Sequence, residues 1–347
     1  MFDLSGRRPR KMATLFVTHH DCIEHDTGPG HPESADRLRV IQRVFEAEEF
    51  MFLHREEAPL GDLDLIKTVH DPAYVDKVMA SIPDHGVEPL DGDTYVSPGS
   101  GKAALRSVGG ACVAVDAVMG GHERNAFVAT RPPGHHAEYD RAMGFCLFNN
   151  AAIAAHHARS KFGIKRVAVM DFDVHHGNGT QDLFYNDADL FYCSTHQWPL
   201  YPGTGAESER GCANNILNVG MVAGSGTAEV QEAFNSTVLP GIAAFKPELL
   251  IISAGFDGHK NDPLAGLCYV ADDFVWMTKQ LMDLAEEQCG GRVVSLLEGG
   301  YDLPSLATSQ TSAKHQPKIT PRSLQDHRAV ARQKRFSQTK LRSVRLP

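Results

Sequence analysis

The sequence predicts an α/β fold whose central sheet is open and mostly parallel. Short β-rich runs alternate with helix-length stretches from residue 13 to about residue 308. This alternation is typical of βαβ units, in which crossover helices cover the faces of a parallel sheet. No internal repeat and no Pro/Gly/Ser-rich linker interrupts the region, so it predicts one domain with long functional loops.

Seven runs have the composition of buried strands, and Gly or charged residues bound them. They span residues 14–17, 126–130, 166–170, 190–194, 216–219, 249–253 and 293–297. Six stretches with helical patterns predict helices over residues 32–48, 72–81, 100–119, 149–162, 227–245 and 271–288. In such a sheet the carboxyl ends of parallel strands lie at one edge.

The composition is that of a folded chain, because 42% hydrophobic residues in a chain of 347 supply a deep core. The seven cysteines are irregularly spaced and form no C-x-x-C pair. This pattern favours reduced, buried thiols in a reducing compartment. The sequence shows neither a signal peptide nor an 18-residue apolar span, and it predicts a cytoplasmic protein that does not cross a membrane.

The net charge of −9 is unevenly distributed. Residues 309–347 contain ten Lys or Arg and one acid, so this tail carries +9 and the remainder of the chain −18. The tail has no sustained apolar period and predicts a disordered segment, for which a nucleic-acid-binding arm is the alternative. Residues 1–12 predict a short unstructured leader, with Met12 as a candidate start.

Two polar segments follow predicted strands at their carboxyl ends. Arg131-Pro-Pro-Gly-His-His-Ala137 follows the second predicted strand, and Asp171-Phe-Asp-Val-His-His-Gly-Asn178 follows the third. Ligands and catalytic groups gather in the crevice at these strand ends. We therefore expect the two His pairs and the two Asp residues to converge.

The spacing of the second segment predicts a metal site. Asp171, Asp173 and His175 stand two residues apart, which in an extended segment directs their side chains to one side. Asp257 follows the strand at 249–253 and adds an oxygen ligand. Asp173, His175 and Asp257 leave coordination positions open, as in a catalytic zinc site. A calcium loop is excluded because His176 stands where such a loop requires Gly.

The remaining polar residues complete a set for amide hydrolysis. Tandem His135 and His136 are flanked by small residues, which favours a functional pair over core packing. Paired glycines before Tyr301 free the backbone to aim its phenol into the crevice. A metal, two imidazoles and a phenol supply an activated water, a base, an acid and an oxyanion donor. No G-x-S-x-G elbow or P-loop supports acyl-enzyme or phosphoryl-transfer chemistry.

Six motif segments occur in an order that is specific as a set: residues 131–137, 144–150, 171–180, 253–257, 262–264 and 298–301. Together they resemble the zinc-dependent histone deacetylase superfamily, on its class II or bacterial histone deacetylase-like amidohydrolase branch. The resemblance covers residues 13 to about 307. It implies the arginase/deacetylase fold, an open mostly parallel sheet of about eight strands flanked by helices. It also implies a hydrolase that removes acetyl or another short acyl group from acyl-lysine or a similar amine.

By motif position, the resemblance implies that Asp173, His175 and Asp257 bind one Zn²⁺ and that Tyr301 polarises the acyl carbonyl. Tyr301 favours a competent enzyme, because some family members have His there and are poor deacetylases. The family also binds monovalent cations near zinc. Contributors to a K⁺ site would be Asp171, Asp173, His175, Ser194 and Thr195, partly through backbone carbonyls.

The resemblance also assigns the two histidines. His135 and His136 would lie beside the activated water, with His136 as the general base. Asp171 corresponds to the partner of His135, and Asn178 stands where His136 should find its partner. Other branches have Asp at this position, so the neutral amide of Asn178 should leave His136 less basic.

Five residues would shape the acyl tunnel. Phe145 and Tyr201 resemble the aromatic walls, Gly144 would let the aliphatic stem pass, and Asp93 resembles a rim residue that binds the substrate backbone. Polyamine-specific relatives place Glu where this chain has Leu264, which favours acyl-lysine over acetylpolyamine.

Three alternatives remain open from the sequence. One is an acetylpolyamine amidohydrolase, and a second is an arginase-like enzyme with two Mn²⁺ ions. The third is a catalytically weak acyl-lysine-binding protein. The sequence also leaves open a homo-oligomer.

The carboxyl end departs from the family pattern. After residues 303–307 the family continues with an amphipathic closing helix, whereas this chain enters its basic tail. We interpret this departure as a shifted reading frame or a truncated domain. Loss of that helix would expose apolar surface at a cost of several kcal/mol, against the usual total stability of about 5–15 kcal/mol.

Overall fold

The computed structural model describes residues 13–309. The predicted leader at 1–12 and the predicted tail at 309–347 lie outside these residues, apart from Ser309. None of the described helices is both long enough and apolar enough to cross a membrane.

Eight parallel strands form the main sheet, in the order β2-β1-β5-β10-β9-β6-β7-β8. These strands are β1 (Thr14–Thr18), β2 (His54–Glu57), β5 (Asn125–Val128), β6 (Val167–Asp171), β7 (Leu190–Gln197), β8 (Ile216–Met221), β9 (Leu249–Ala254) and β10 (Val293–Leu297). A two-residue pair, β3 (Glu88–Pro89) and β4 (Tyr95–Val96), is antiparallel. The predicted sheet of about eight mostly parallel strands is confirmed, including all seven predicted runs.

Helices cover both faces of this sheet. They are α1 (Ala35–Phe45), α2 (Leu63–Ile66), α3 (Pro72–Ala80), α4 (Ser100–Met119), α5 (Asn150–Phe162), α6 (Asn178–Phe184), α7 (Thr227–Ala233), α8 (Leu239–Phe245), α9 (Ala271–Cys289) and α10 (Leu303–Ser309). Leu15 and Val17 of β1 pack in the core shared with α4 and α5. Phe16 points to the opposite face, where its ring stacks 4.5 Å from that of Phe45 in α1.

Several elements were not predicted from the sequence or were predicted only in part, and three of them have a clear physical reason. Strand β2 was missed because its residues are all polar and exposed, so an edge strand here carries no apolar signal. Helix α6 was missed because Gly177, Asn178 and Gly179 at its start are typical of a turn. The predicted helix at 227–245 is divided by a π-helical turn at Phe234–Val238, since Pro240 cannot donate a hydrogen bond within a helix.

The prediction of buried thiols was correct for only part of the set. All seven cysteines are free; Cys22, Cys146, Cys193 and Cys289 are buried, and Cys112 is half-buried. Cys212 and Cys268 are exposed, because both lie in loops outside the sheet and its covering helices.

The register of the central strands gathers their carboxyl ends at one edge. Asp171, the last residue of β6, pairs with Ser253 of β9 on one side and Ser194 of β7 on the other. Ala254 of β9 pairs in turn with Leu297, the last residue of β10. The polar segments that follow these strands therefore enter a common crevice.

Candidate active site

Three buried side chains meet at this crevice. One ligand atom from each of Asp173, His175 and Asp257 lies within 4.8 Å of the others. His175 Nδ1 is 3.2 Å from Asp173 Oδ1 and 3.1 Å from Asp257 Oδ2. Within residues 13–309, no other group of His, Cys, Asp and Glu side chains forms such a cluster.

The charges of this cluster fit a cation. Burial and the neighbouring charge of Asp173 raise the pKa of Asp257 to about 7, because two carboxylates close together and out of water repel each other. Both carboxylates also accept hydrogen bonds from the main chain: Val174 N donates to Asp257 Oδ1 at 3.0 Å, and Gly299 N donates to Asp173 Oδ2 at 2.8 Å. A divalent ion bound by the two carboxylates would offset their repulsion.

Gly299 allows the end of β10 to come this close. A Cβ atom at this position would lie 2.2 Å from Asp257 Oδ2 and 2.6 Å from Asp173 Oδ2. Any larger residue would push the two carboxylates apart. Position 299 therefore requires glycine, because the backbone there contacts the two carboxylates directly.

His135 is paired with a carboxylate. Its Nδ1 lies 3.0 Å from Asp171 Oδ2, which also accepts a hydrogen bond from the Tyr192 hydroxyl at 3.1 Å. Burial lowers the pKa of His135, but the charges of Asp173 and Asp171 outweigh it and raise the pKa above its ordinary value. The pair therefore favours a protonated imidazole.

His136 is paired with an amide. Its Nδ1 lies 2.7 Å from Asn178 Oδ1, and its ring centroid is 4.0 Å from that of His135. Burial and the charge of His135 hold the pKa of His136 well below its ordinary value. Two adjacent imidazoles with pKa values pushed in opposite directions are suited to separate acid and base roles.

Tyr301 is held through its backbone and by two contacts with its ring. Its N–H donates to Asp262 Oδ2 at 2.7 Å, the Arg37 guanidinium lies 4.9 Å from the ring centroid, and the Phe145 ring meets it edge-on at 5.8 Å. Burial raises the pKa of the phenol well above its ordinary value, although Arg37 opposes the shift. The phenol therefore remains a hydrogen-bond donor at neutral pH.

Glu298 and Asp262, to which the sequence analysis gave no role, hold the backbones of the loops that carry His135 and Tyr301. The buried Glu298 carboxylate accepts from Gly134 N at 2.7 Å and from His135 N at 3.2 Å, while Ser253 Oγ donates to it at 3.1 Å. It thereby ties the His135 loop to β9 and β10. The second acid, Asp262, binds the Tyr301 backbone. Their positions inside the 298–301 and 262–264 segments were the available signal.

Glu33, Arg37 and Arg131 form a buried ionic group, and Arg37 joins it to the Tyr301 ring. Arg131 Nη2 donates to Glu33 Oε2 at 2.6 Å, and Arg37 Nη1 donates to Glu33 Oε1 at 3.1 Å. Burial raises the pKa of Glu33, but Arg131 and Arg37 outweigh it and lower the pKa to about 2. Arg37 Nε also donates to Gly300 O at 2.7 Å. The group therefore connects the start of the 131–137 loop to the turn before Tyr301.

Gly144 and Tyr201, two of the expected tunnel residues, lie against His136. Asp93 Oδ1 accepts from Gly144 N at 3.0 Å, and the Tyr201 ring meets the His136 ring edge-on at 5.3 Å. Gly144 has a φ of 56°, and a Cβ there would lie 2.3 Å from His136 Cδ2. Leu264 is half-buried, and its N–H donates to Asp262 Oδ1 at 3.1 Å.

The residues expected at a K⁺ site lie on adjacent strands. Asp171 of β6 and Ser194 of β7 are cross-strand partners. Ser194 Oγ lies 2.9 Å from His196 Nδ1. The hydroxyl of Thr195 is buried and has no hydrogen-bond partner among the described residues.

A sequence profile of the histone deacetylase domain matches residues 31–316. The chain belongs to the histone deacetylase family. A "Histone deacetylase-like amidohydrolase" of Pseudomonas aeruginosa is 37% identical over 83% of this chain and 81% of its own length. "Histone deacetylase 10, chloroplastic" of rice is 39% identical, over 80% of this chain and 68% of its own.

An uncharacterized protein of Synechocystis is 42% identical and spans 83% of this chain and 94% of its own length. Among solved structures, the crystal structure of the HDA15 HD domain matches with a TM-score of 0.80 and 34% identity over 87% of both chains. These matches confirm the family and the arginase/deacetylase fold that the sequence motifs implied.

Proposed function

We propose that the chain is a Zn²⁺-dependent amidohydrolase that removes an acetyl or other short acyl group from acyl-lysine. The observation that carries this proposal is that both histidines lie beside the Asp173, His175 and Asp257 cluster. His135 Nε2 is 3.8 Å from Asp173 Oδ2, and the ring centroids of His136 and His175 are 6.1 Å apart. Relatives named as deacetylases or amidohydrolases support a hydrolase.

The metal assignment rests on the donor set. One imidazole nitrogen and two carboxylate oxygens suit Zn²⁺ and leave coordination positions open. Bound there, Zn²⁺ would act as a Lewis acid on water and on the substrate carbonyl. The open positions distinguish the cluster from a structural site, which is closed by four protein ligands.

The chain's own side chains supply the proton transfers. With Nδ1 of His136 hydrogen-bonded to Asn178, Nε2 is the nitrogen that takes a proton from water. His135, kept protonated beside Asp171, is suited to donate a proton to the leaving amine. The Tyr301 phenol donates a hydrogen bond to the oxyanion that develops on the substrate carbonyl.

The expected K⁺ site is proposed at the junction of β6 and β7. Asp171 and Ser194 supply side-chain oxygens on paired residues, and Asp173, His175 and Thr195 would add backbone carbonyls. A cation there would lie next to Asp171 and offset the charge of its carboxylate.

Metal analysis combined with an acetyl-lysine assay tests the proposed function. Purified protein is expected to hold about one Zn²⁺ per chain and to lose turnover on chelation, with recovery when zinc is restored. The Asp257→Ala variant should lose both metal and turnover. Two Mn²⁺ per chain would favour the ureohydrolase alternative. Bound zinc without turnover would favour an acyl-lysine-binding protein.

The substrate class is expected to depend on Leu264, which stands where polyamine-specific relatives have Glu. We expect Leu264→Glu to shift preference from acetyl-lysine peptides toward acetylated polyamines, because a carboxylate there would attract a second ammonium group. The ratio of kcat/KM values for the two substrates measures the shift, and Leu264→Gln provides the uncharged control. An unchanged ratio in the Glu variant would show that selectivity is determined elsewhere.

A further inference from the structure

Glu138 directly follows the 131–137 segment, and its side chain hydrogen-bonds to Asn178 and Arg141. Asn178 Nδ2 donates to its Oε1 at 2.6 Å, while Asn178 Oδ1 lies 2.7 Å from His136 Nδ1. The three side chains form a line from the surface, where the Glu138 side chain is 24% exposed, to the buried imidazole. We propose that Glu138 is a positioning residue that fixes the Asn178 amide and, through it, the tautomer of His136.

The carboxylate fixes the amide because it can only accept hydrogen bonds. The amide has one donor end and one acceptor end, and the donor end faces two acceptors, Glu138 Oε1 and the Met143 sulfur at 3.3 Å. Rotating the amide by half a turn would place Asn178 Oδ1 against both. Asn178 is buried, so the lost hydrogen bonds could not be replaced by water.

The amide orientation determines which nitrogen of His136 carries the proton. Asn178 Oδ1 accepts, so Nδ1 must be the N–H, and Nε2 retains the lone pair that a base requires. With the amide reversed, its NH₂ group would donate to Nδ1 and the proton would move to Nε2. A neutral imidazole of that tautomer could not take a proton from water at Nε2.

Glu138 is itself fixed in place. Arg141 Nη2 donates to Glu138 Oε2 at 2.8 Å, and the Glu138 N–H donates to Arg141 O at 3.0 Å. His70 Nδ1 lies 2.8 Å from the Glu138 carbonyl oxygen. One carboxylate oxygen is therefore engaged by Arg141, and the other is left to Asn178.

Because Arg141 and Asn178 bind different oxygens of Glu138, the orientation of a Gln side chain at position 138 can be predicted. In Glu138→Gln the side-chain oxygen would remain with the donating Arg141, which turns the new NH₂ group toward Asn178. The Asn178 amide would then reverse to accept from it. The proposal therefore expects the isosteric change to favour the inactive tautomer.

Asn178→Asp changes which group is needed at position 138, from a hydrogen-bond acceptor to a donor. A carboxylate at position 178 accepts on both oxygens, so it needs no orientation, but it would stand 2.6 Å from the Glu138 carboxylate and be repelled. Adding Glu138→Gln to this variant would replace the repulsion with a donated hydrogen bond. Glu138 and Asn178 are thus a matched pair.

A double-mutant cycle tests the pair and rests on the proposed deacetylase activity. Wild type, Glu138→Gln, Asn178→Asp and the double variant are compared by kcat on an acetyl-lysine peptide. Glu138→Gln is expected to lower kcat about tenfold or more in the Asn178 background and to raise it in the Asn178→Asp background. A residue with only a structural role would lower kcat in both backgrounds, and that result would overturn the proposal.

A control and a second readout separate this test from the proposed function. Glu286→Gln removes a carboxylate from a surface ion pair with Arg124 and should leave kcat unchanged. Nitrogen-15 NMR of the His136 ring, assigned by comparison with His136→Ala, should report a protonated Nδ1 in wild type and a protonated Nε2 in Glu138→Gln. Identical spectra would refute the proposal even if the wild-type protein fails to turn over acetyl-lysine.

Discussion

The Tyr301→Phe variant is expected to lose about 10²–10³ in kcat on an acetyl-lysine substrate while KM changes little. The reason is that a donor to the developing oxyanion stabilises the transition state more than the ground state. Arg37 and Phe145 pack on the ring, and the ring remains in the variant. The fold and the metal cluster should therefore persist. Steady-state kinetics measures the effect.

A matched control distinguishes chemistry from packing at Tyr301. Tyr185→Phe removes a phenolic hydroxyl from a residue that is 36% exposed and outside the crevice, and its kcat should equal that of wild type. Zinc content and thermal midpoint of the Tyr301→Phe protein should match wild type. Near-normal kcat in this variant would leave the metal and the two histidines as the whole catalytic apparatus.

Replacing His136 with Ala is expected to reduce kcat by at least about 10²-fold while the protein retains its metal. The imidazole is the proposed base, and it does not belong to the Asp173, His175 and Asp257 cluster. Burial holds the pKa of His136 below its ordinary value, so the ring is neutral and can accept a proton at pH 7. Turnover and metal content are measured on the same preparation.

His157→Ala is the control for this prediction. His157 of α5 is half-buried and pairs with Asp116 of α4, where its Nε2 lies 2.8 Å from Asp116 Oδ1. Loss of that imidazole should leave turnover unchanged. If His136→Ala retains wild-type kcat, the proton must be taken by another group, and His135 with its Asp171 partner becomes the candidate.

The supporting contacts explain why the crevice contains more acids than a metal site requires. Asp173 and Asp257 form the cluster, whereas Glu298 and Asp262 hold the backbones of the two loops that carry His135 and Tyr301. Main-chain donors can be anchored firmly by a buried carboxylate, because such charge-assisted hydrogen bonds are strong in a low-dielectric interior. This support would hold the proposed catalytic groups in a precise geometry.

The sequence determined the fold class because buried parallel strands are continuous apolar runs, and each such run of this chain became a strand. It did not reveal β2, since His54–Glu57 is polar throughout and is specified only by pairing with β1. Likewise Pro240 alone did not indicate that the predicted 227–245 helix would be divided by a π-helical turn at Phe234–Val238.

For the site, the sequence determined which residues enter the crevice, because parallel strands place their carboxyl ends at one edge and the polar segments follow directly. Only the tertiary structure decided how those residues are held. Glu298 reaches the Gly134 backbone across 164 positions of sequence, and Arg37 reaches Gly300 across 263. Even the Glu138 contact with Asn178 spans 40 positions. Local periodicity carries no information on such pairs, since they form only when the packed sheet brings distant loops within hydrogen-bonding distance.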